Sequence, residues 1–148
     1  MARKNDESLL DQLYVISGRV DRQLSDAEFR LIACALVHED DSVRERAIFI
    51  GGLRSVDPVF IGFFLSSLLL GSERSDENRR LMIESLVSAS LNSPAGPGKM
   101  IRNLKDILDG ADPSSLEAKS AFVGIKRLRG EISTGEFAIL DYDDIHVA

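Results

Sequence analysis

The sequence predicts an all-α fold, a short stack of antiparallel helix pairs with about seven helices. Three observations predict it. A segment recurs: Asp41-Ser42-Val43-Arg44 leads into an apolar helix, and Asp76-Glu77-Asn78-Arg79 leads into another 35 residues later. A period of that size marks stacked helix pairs, because one pair has more apolar surface than it can bury alone. Apolar residues recur at helical spacing between clear start and stop signals. Tryptophan is absent and aromatics make up 6% of the chain, so the core reads as aliphatic helix packing and not as a β-sandwich. At 148 residues the chain suits one domain with a sizeable core.

The elements follow in order. A first helix runs over about 8–17 on Leu9, Leu10, Leu13 and Val15-Ile16, with Gly18 as its stop. Ser25-Asp26-Ala27-Glu28 is a capping box that opens a helix over 26–38 with Phe29, Ile32, Leu36 and Val37 on its apolar side. A second box, Ser42-Val43-Arg44-Glu45, opens a helix over 42–54. Asp57-Pro58 starts a helix over 58–70, since proline suits the first turn, and Gly71 stops it. The next helix spans 76–91 with Leu81, Met82 and Leu86. Asn92 to Lys99, with two prolines and two glycines, breaks the chain. A helix over 100–109 and one over 115–129, with Phe122, Ile125 and Leu128, complete the domain at about residue 130. Residues 131–148 form a separate tail, either an extended strand or a disordered peptide motif.

The stretch from Leu36 to Leu91 resembles HEAT repeats. In that family an Asp in the turn, a Val-Arg pair and an Ala recur, and here these are Asp41, Val43-Arg44 and Ala47. The second copy keeps Asp76 and Arg79 but has Asn78 and Met82 where valine and alanine are expected. A third, faint copy lies near Asp112 to Lys119. The resemblance covers about half the chain. It implies a right-handed stack pairing 26–38 with 42–54, 58–70 with 76–91 and 100–109 with 115–129. The turn aspartate is expected to accept N–H groups at the start of the next helix, and the arginine to pair with an acid on the adjacent unit. The second helices would line a concave surface, where members of the family usually bind partners.

The net charge of −6 is uneven. The tail holds Glu131, Glu136, Asp141, Asp143 and Asp144 with no lysine or arginine, whereas the body sets 18 basic against 19 acidic side chains. Phe137, Ile139, Leu140, Tyr142, Ile145 and Val147 alternate with those acids, a pattern suited to docking in a groove or adding to a sheet edge. Arg80, Lys119, Lys126 and Arg127 are candidate contacts for a partner or for the folded-back tail. A near-neutral body with no interleaved aromatic platform argues against nucleic acid.

Catalytic constellations are sparse. His38-Glu39 resembles the His-Glu pairs of HEAT-like di-iron hydroxylases, which need several such pairs, but the second histidine, His146, lies in the tail. Gly96-Pro97-Gly98-Lys99 hints at a phosphate loop and departs from it, with Ser93 where the first glycine belongs and Met100 where Ser or Thr belongs. Cys34 and His38 share a helix face at i, i+4, yet Cys34 sits among Ala33, Ala35 and Leu36 and reads as a buried, inert thiol. No catalytic residue, metal ligand or cofactor is expected. The single cysteine, the polar N-terminus and an apolar run shorter than the roughly 20 residues of a membrane span fit a cytoplasmic protein.

The expected function is therefore non-catalytic protein–protein interaction, as adaptor or regulator, through the helical stack and the acidic tail. A small acidic inhibitor or immunity-type protein with a basic partner is the alternative, and a metal-dependent hydroxylase-like enzyme comes last. The open ends of a short stack and the tail are the surfaces on which a second copy is to be sought.

Overall fold

In the computed structural model, which describes residues 2–147 with side chains from residue 8 onward, most helices start where short polar side chains cap them. α1 spans Ala2–Ser17 and starts six residues earlier than its apolar pattern. α2 (Asp26–Ala35) has the full capping box of Ser25 and Glu28. α3 (Asp41–Ile48) is capped by Asp40, whose carboxylate accepts the Ser42 N–H at 2.8 Å; the expected Ser42–Glu45 box lies two residues too late to cap it. α4 (Pro58–Leu70) is capped by Asp57 and ends at Gly71, whose φ of 68° is the left-handed conformation a side chain would resist. Ser75 caps α5 (Asp76–Leu91), and Ser115 caps α7 (Leu116–Leu128). α6 (Gly98–Gly110) takes in Gly98 and Lys99, so the Pro-Gly break ends two residues sooner than expected.

Two layers result. α3 touches α5 and α5 touches α7, forming one row. α4 packs on α5 and touches α6, and α6 packs on α7, forming the other. The stacked rings of Phe29 and Phe60, 4.5 Å apart, join α2 to this second row. α1 covers the α3 end. Between the layers lie Ile32, Val43, Ile48, Phe64, Met82, Leu86 and Leu104, all at most 2% exposed. Among the described residues there is no strand, and no helix is long and apolar enough to cross a membrane.

The expected helix over 42–54 is not uniform. From Phe49 to Arg54 it widens into a π-helical stretch, seen in the Ser55 N–H to Ile50 carbonyl bond of 2.8 Å. Gly51 and Gly52 let this stretch press against Phe60 and Phe64 of α4 and Ser85 of α5. The exit is strained. Val56 has φ of 49°, a region a β-branched residue adopts only at about 1–2 kcal/mol. Val56→Asn, which tolerates that conformation, is expected to raise the melting temperature by about 3 °C, equivalent to about 1 kcal/mol. A lower value in thermal unfolding would mean that the valine methyls contribute more than the strain costs.

The tail is neither strand nor unstructured. Ser133 and Glu136 form a reciprocal capping box that opens a short helix, α8 (Thr134–Ala138). Asp141 accepts the Asp143 N–H at 2.9 Å and starts a 3₁₀ turn over Tyr142–Asp144. These local side-chain bonds override the alternating pattern. Cys34 is a second correction. It is exposed, because the buried face of α2 is Ile32 and Ala35, and position 34 points away from both. Val37, 72% exposed, is likewise outside the core.

Candidate functional site

Arg44, Arg79 and Asp76 stitch one turn to the next, whereas the Asp41 carboxylate, expected to cap the next helix, bonds Arg44 of its own helix instead. Arg44 is buried, and its guanidinium donates through Nε and Nη2 to both oxygens of buried Glu73 at 2.9 Å each. It also donates to the His38 and Glu39 carbonyls at 2.9 Å and bonds Asp41. Glu39's carbonyl takes a further bond from Arg74, and Asp41's from the Asn78 amide. One repeat later Arg79 donates to the Glu73 carbonyl at 2.7 Å and faces Glu117 at 3.5 Å. Asp76 accepts the Leu116 and Glu117 N–H groups, at 2.9 and 3.0 Å, at the positive end of α7. In the faint third copy the ladder contact comes from Glu117, not from Lys119. Val43 and Ala47 are buried beneath this ladder.

The tail closes back over the α5–α7 side of this frame. Arg80 on α5 is held between Glu77, one turn before it, and Glu84, one turn after it. The Tyr142 hydroxyl donates to the other oxygen of Glu84 at 3.1 Å. The Arg127 guanidinium lies 3.7 Å from the centre of the Phe137 ring. Around these anchors opens a cleft of about 610 Å³, with Arg80 and Leu116 on one wall and Phe137, Leu140, Tyr142 and Asp143 on the other.

Burial decides the charge states here. It pushes the Glu84 carboxyl above its ordinary value, against the pull of Arg80 and of the Tyr142 hydroxyl. It pushes the Tyr142 phenol up as well, with the Glu84 charge adding to the effect, so the phenol stays a donor. Burial also lowers Arg127. For Arg80 burial acts in the same sense, but the bonds to Glu77 and the Glu84 charge outweigh it and raise the value.

Of the residues singled out in the sequence, Arg80, Arg127, Phe137, Tyr142 and Asp143 are brought to this site. Lys126 lies beside it over the Phe122 ring at 5.1 Å, while Lys119 lines no part of the cleft. Ile139, 87% exposed, and Asp144 point into solvent. Sequence reasoning missed Glu84 and Glu73. Glu84 carried a signal, standing four residues after Arg80 and seven after Glu77 on one helix face. Glu73 carried none, since its partner lies 29 residues away. His38 is engaged locally, its Nδ1 accepting the Asp40 N–H at 3.0 Å. The cleft presents guanidinium, carboxylate, phenol and ring faces. Compared with family models, curated proteins and solved structures, the chain gives no match.

Proposed function

We propose that the protein is a non-catalytic interaction module, an adaptor or regulator, whose HEAT-like helical stack is the scaffold and whose C-terminal tail is the recognition element. The arginines 35 residues apart, Arg44 bonded to Glu73 and Arg79 facing Glu117, support the repeat reading. One observation carries the functional reading. The tail is seated on α5 and α7 through Tyr142 and Phe137, with Ile132, Leu140, Ile145 and Val147 also half-buried, while Glu131, Glu136, Asp141, Asp143 and Asp144 are all exposed. A segment that keeps its acids exposed is available to a partner. The same exposure favours a basic partner and keeps the acidic-inhibitor reading in play, with an affinity that falls as salt rises.

Affinity capture from the host, with the full chain and with one ending at Gly130, tests this. The full chain is expected to recover a specific protein that the shortened chain loses. Equal recovery by both would overturn the role of the tail. Tyr142→Phe is expected to weaken tail docking by about 1.5–3 kcal/mol, because the bond it removes ends on a charged carboxylate. Amide exchange over 134–145 should then quicken by roughly 10- to 100-fold, with the body unchanged. Unchanged exchange in the tail would mean that this hydroxyl does not hold it.

A further inference from the structure

From Pro58 to Leu70 α4 carries no charged residue, yet it is not wholly buried. One face, Phe60, Phe64, Ser67 and Leu68, meets the core. The opposite stripe, Val59, Gly62, Ser66 and Leu69 at i, i+3, i+7 and i+10, faces outward with no charge in it. Val59 is 64% exposed and Leu69 51%, with Leu70 beside them at 82%. An apolar helix surface of this kind signals a partner.

The neighbouring helices of the layer identify the partner. α6 exposes a stripe of the same spacing, Lys99, Arg102, Asp106 and Asp109. Its first half is basic and its second half acidic. Laid antiparallel against a copy of itself, it sets Lys99 opposite Asp109 and Arg102 opposite Asp106. The same operation on α4 sets Val59 on Leu69 and the small residues Gly62 and Ser66 on each other at the crossing. α2 and its C-terminal turn expose Ala27, Arg30, Cys34 and Val37, again at that spacing, and antiparallel pairing there brings no like charges together. Each of the three stripes is thus self-complementary in an antiparallel pairing, the relation that the two-fold axis of an isologous dimer imposes.

We propose that the outer surface of the α2–α4–α6 layer is a homodimer interface, with α4 against α4 at its centre and α6 against α6 as a charge-paired flank. Three helices of this length side by side cover about 20 by 25 Å, so a dimer would bury about 1,000 Å² in total, at the lower limit of specific interfaces. A reversible dimer of micromolar affinity is the expected result.

Sedimentation or light scattering of the full chain at about 100 µM tests it, a concentration well above such a dissociation constant. The expected mass is about twice the 16.3 kDa of one chain, falling on dilution. R102D places a carboxylate against the partner's Asp106, and because each contact occurs twice, the dissociation constant should rise at least tenfold; D106R should do the same. The double variant R102D/D106R should restore the dimer. Both positions lie on exposed helix surface, so circular dichroism should be unchanged. The chain ending at Gly130 should dimerise as well as the full chain. A single-chain mass for the native protein at this concentration overturns the proposal. So does a dimer indifferent to R102D and D106R, a double variant that fails to recover, or a dimer lost with the tail.

Discussion

Glu73→Ala should destabilise the protein by about 3 kcal/mol, lowering the melting temperature by about 10 °C for a domain of this size. Arg44 and Glu73 are 6% and 5% exposed, and each holds the other through two bonds of a fork. Removing the carboxylate leaves a buried guanidinium with the His38 and Glu39 carbonyls and the exposed Asp41. Those partners keep the loss near the low end of the range for a broken buried pair. The double variant Arg44→Met/Glu73→Leu removes both charges and fills the space with apolar atoms. It should recover most of the lost stability, since the desolvation cost disappears with the charges. Urea unfolding of the native protein, Arg44→Met, Glu73→Leu and the double variant forms a cycle that isolates the coupling. A Glu73→Ala effect below about 1 kcal/mol would mean that the turn rearranges to hydrate Arg44.

The same pair sets part of the acid sensitivity. Burial pushes Glu73 up, but the Arg44 fork and the Ser75 N–H outweigh it and hold the carboxyl below its ordinary value. A carboxyl lowered in the folded state contributes stability that is present above its unfolded value, near ~4.3, and is lost as pH falls through the folded value. The gap between native protein and Glu73→Ala should therefore be widest near neutral pH and shrink below about pH 4.

Much of the fold was legible because its signals are local. Ser25 with Glu28, Asp57-Pro58 and Gly71 each fix a helix end through bonds within four residues, and each stands where the pattern put it. The ladder was half legible. Asp76 and Arg79 recur at a visible period, but their partner Glu117 and the Glu73 that serves Arg44 are set by how the turns stack. The tail was misread for a different reason. Its apolar–acidic alternation suggests a strand, yet Ser133 with Glu136 is a capping box as plain as the one at Ser25, and it wins because the tail has no sheet edge to join. Cys34 shows the limit of reading neighbours instead of faces. Ala33, Ala35 and Leu36 are apolar, but only the 32–35–36 side of α2 is buried. The π-helical stretch left no periodic trace, because its cause is tertiary. Two glycines admit α4 and α5 so closely that the backbone gives way.

That cause makes Gly52→Ala informative. Helix propensity alone predicts a gain of about 1 kcal/mol from replacing a glycine inside a helix. The packing predicts the opposite. An added Cβ would overlap the Ser85 hydroxyl and lie 2.7 Å from Ser85 Cβ and 2.6 Å from the Phe64 ring, distances that force the π stretch away from α5. Gly52 is itself buried, and Phe64 is 0% exposed, so neither side can yield into solvent. Overpacking of this kind costs about 3 kcal/mol, enough to reverse the propensity gain. Ser85 supplies two of the three clashes and bonds only the Leu81 carbonyl of its own helix. Ser85→Gly in the Gly52→Ala background should then recover about half of the loss, although a glycine in α5 alone costs about 1 kcal/mol. Rescue in the double variant, beside loss in both single ones, is a signature that a general weakening of either helix would not produce. Thermal unfolding of the four proteins reads it directly. A Gly52→Ala protein more stable than the native one would show that the π-helical stretch and α5 do not meet at this glycine.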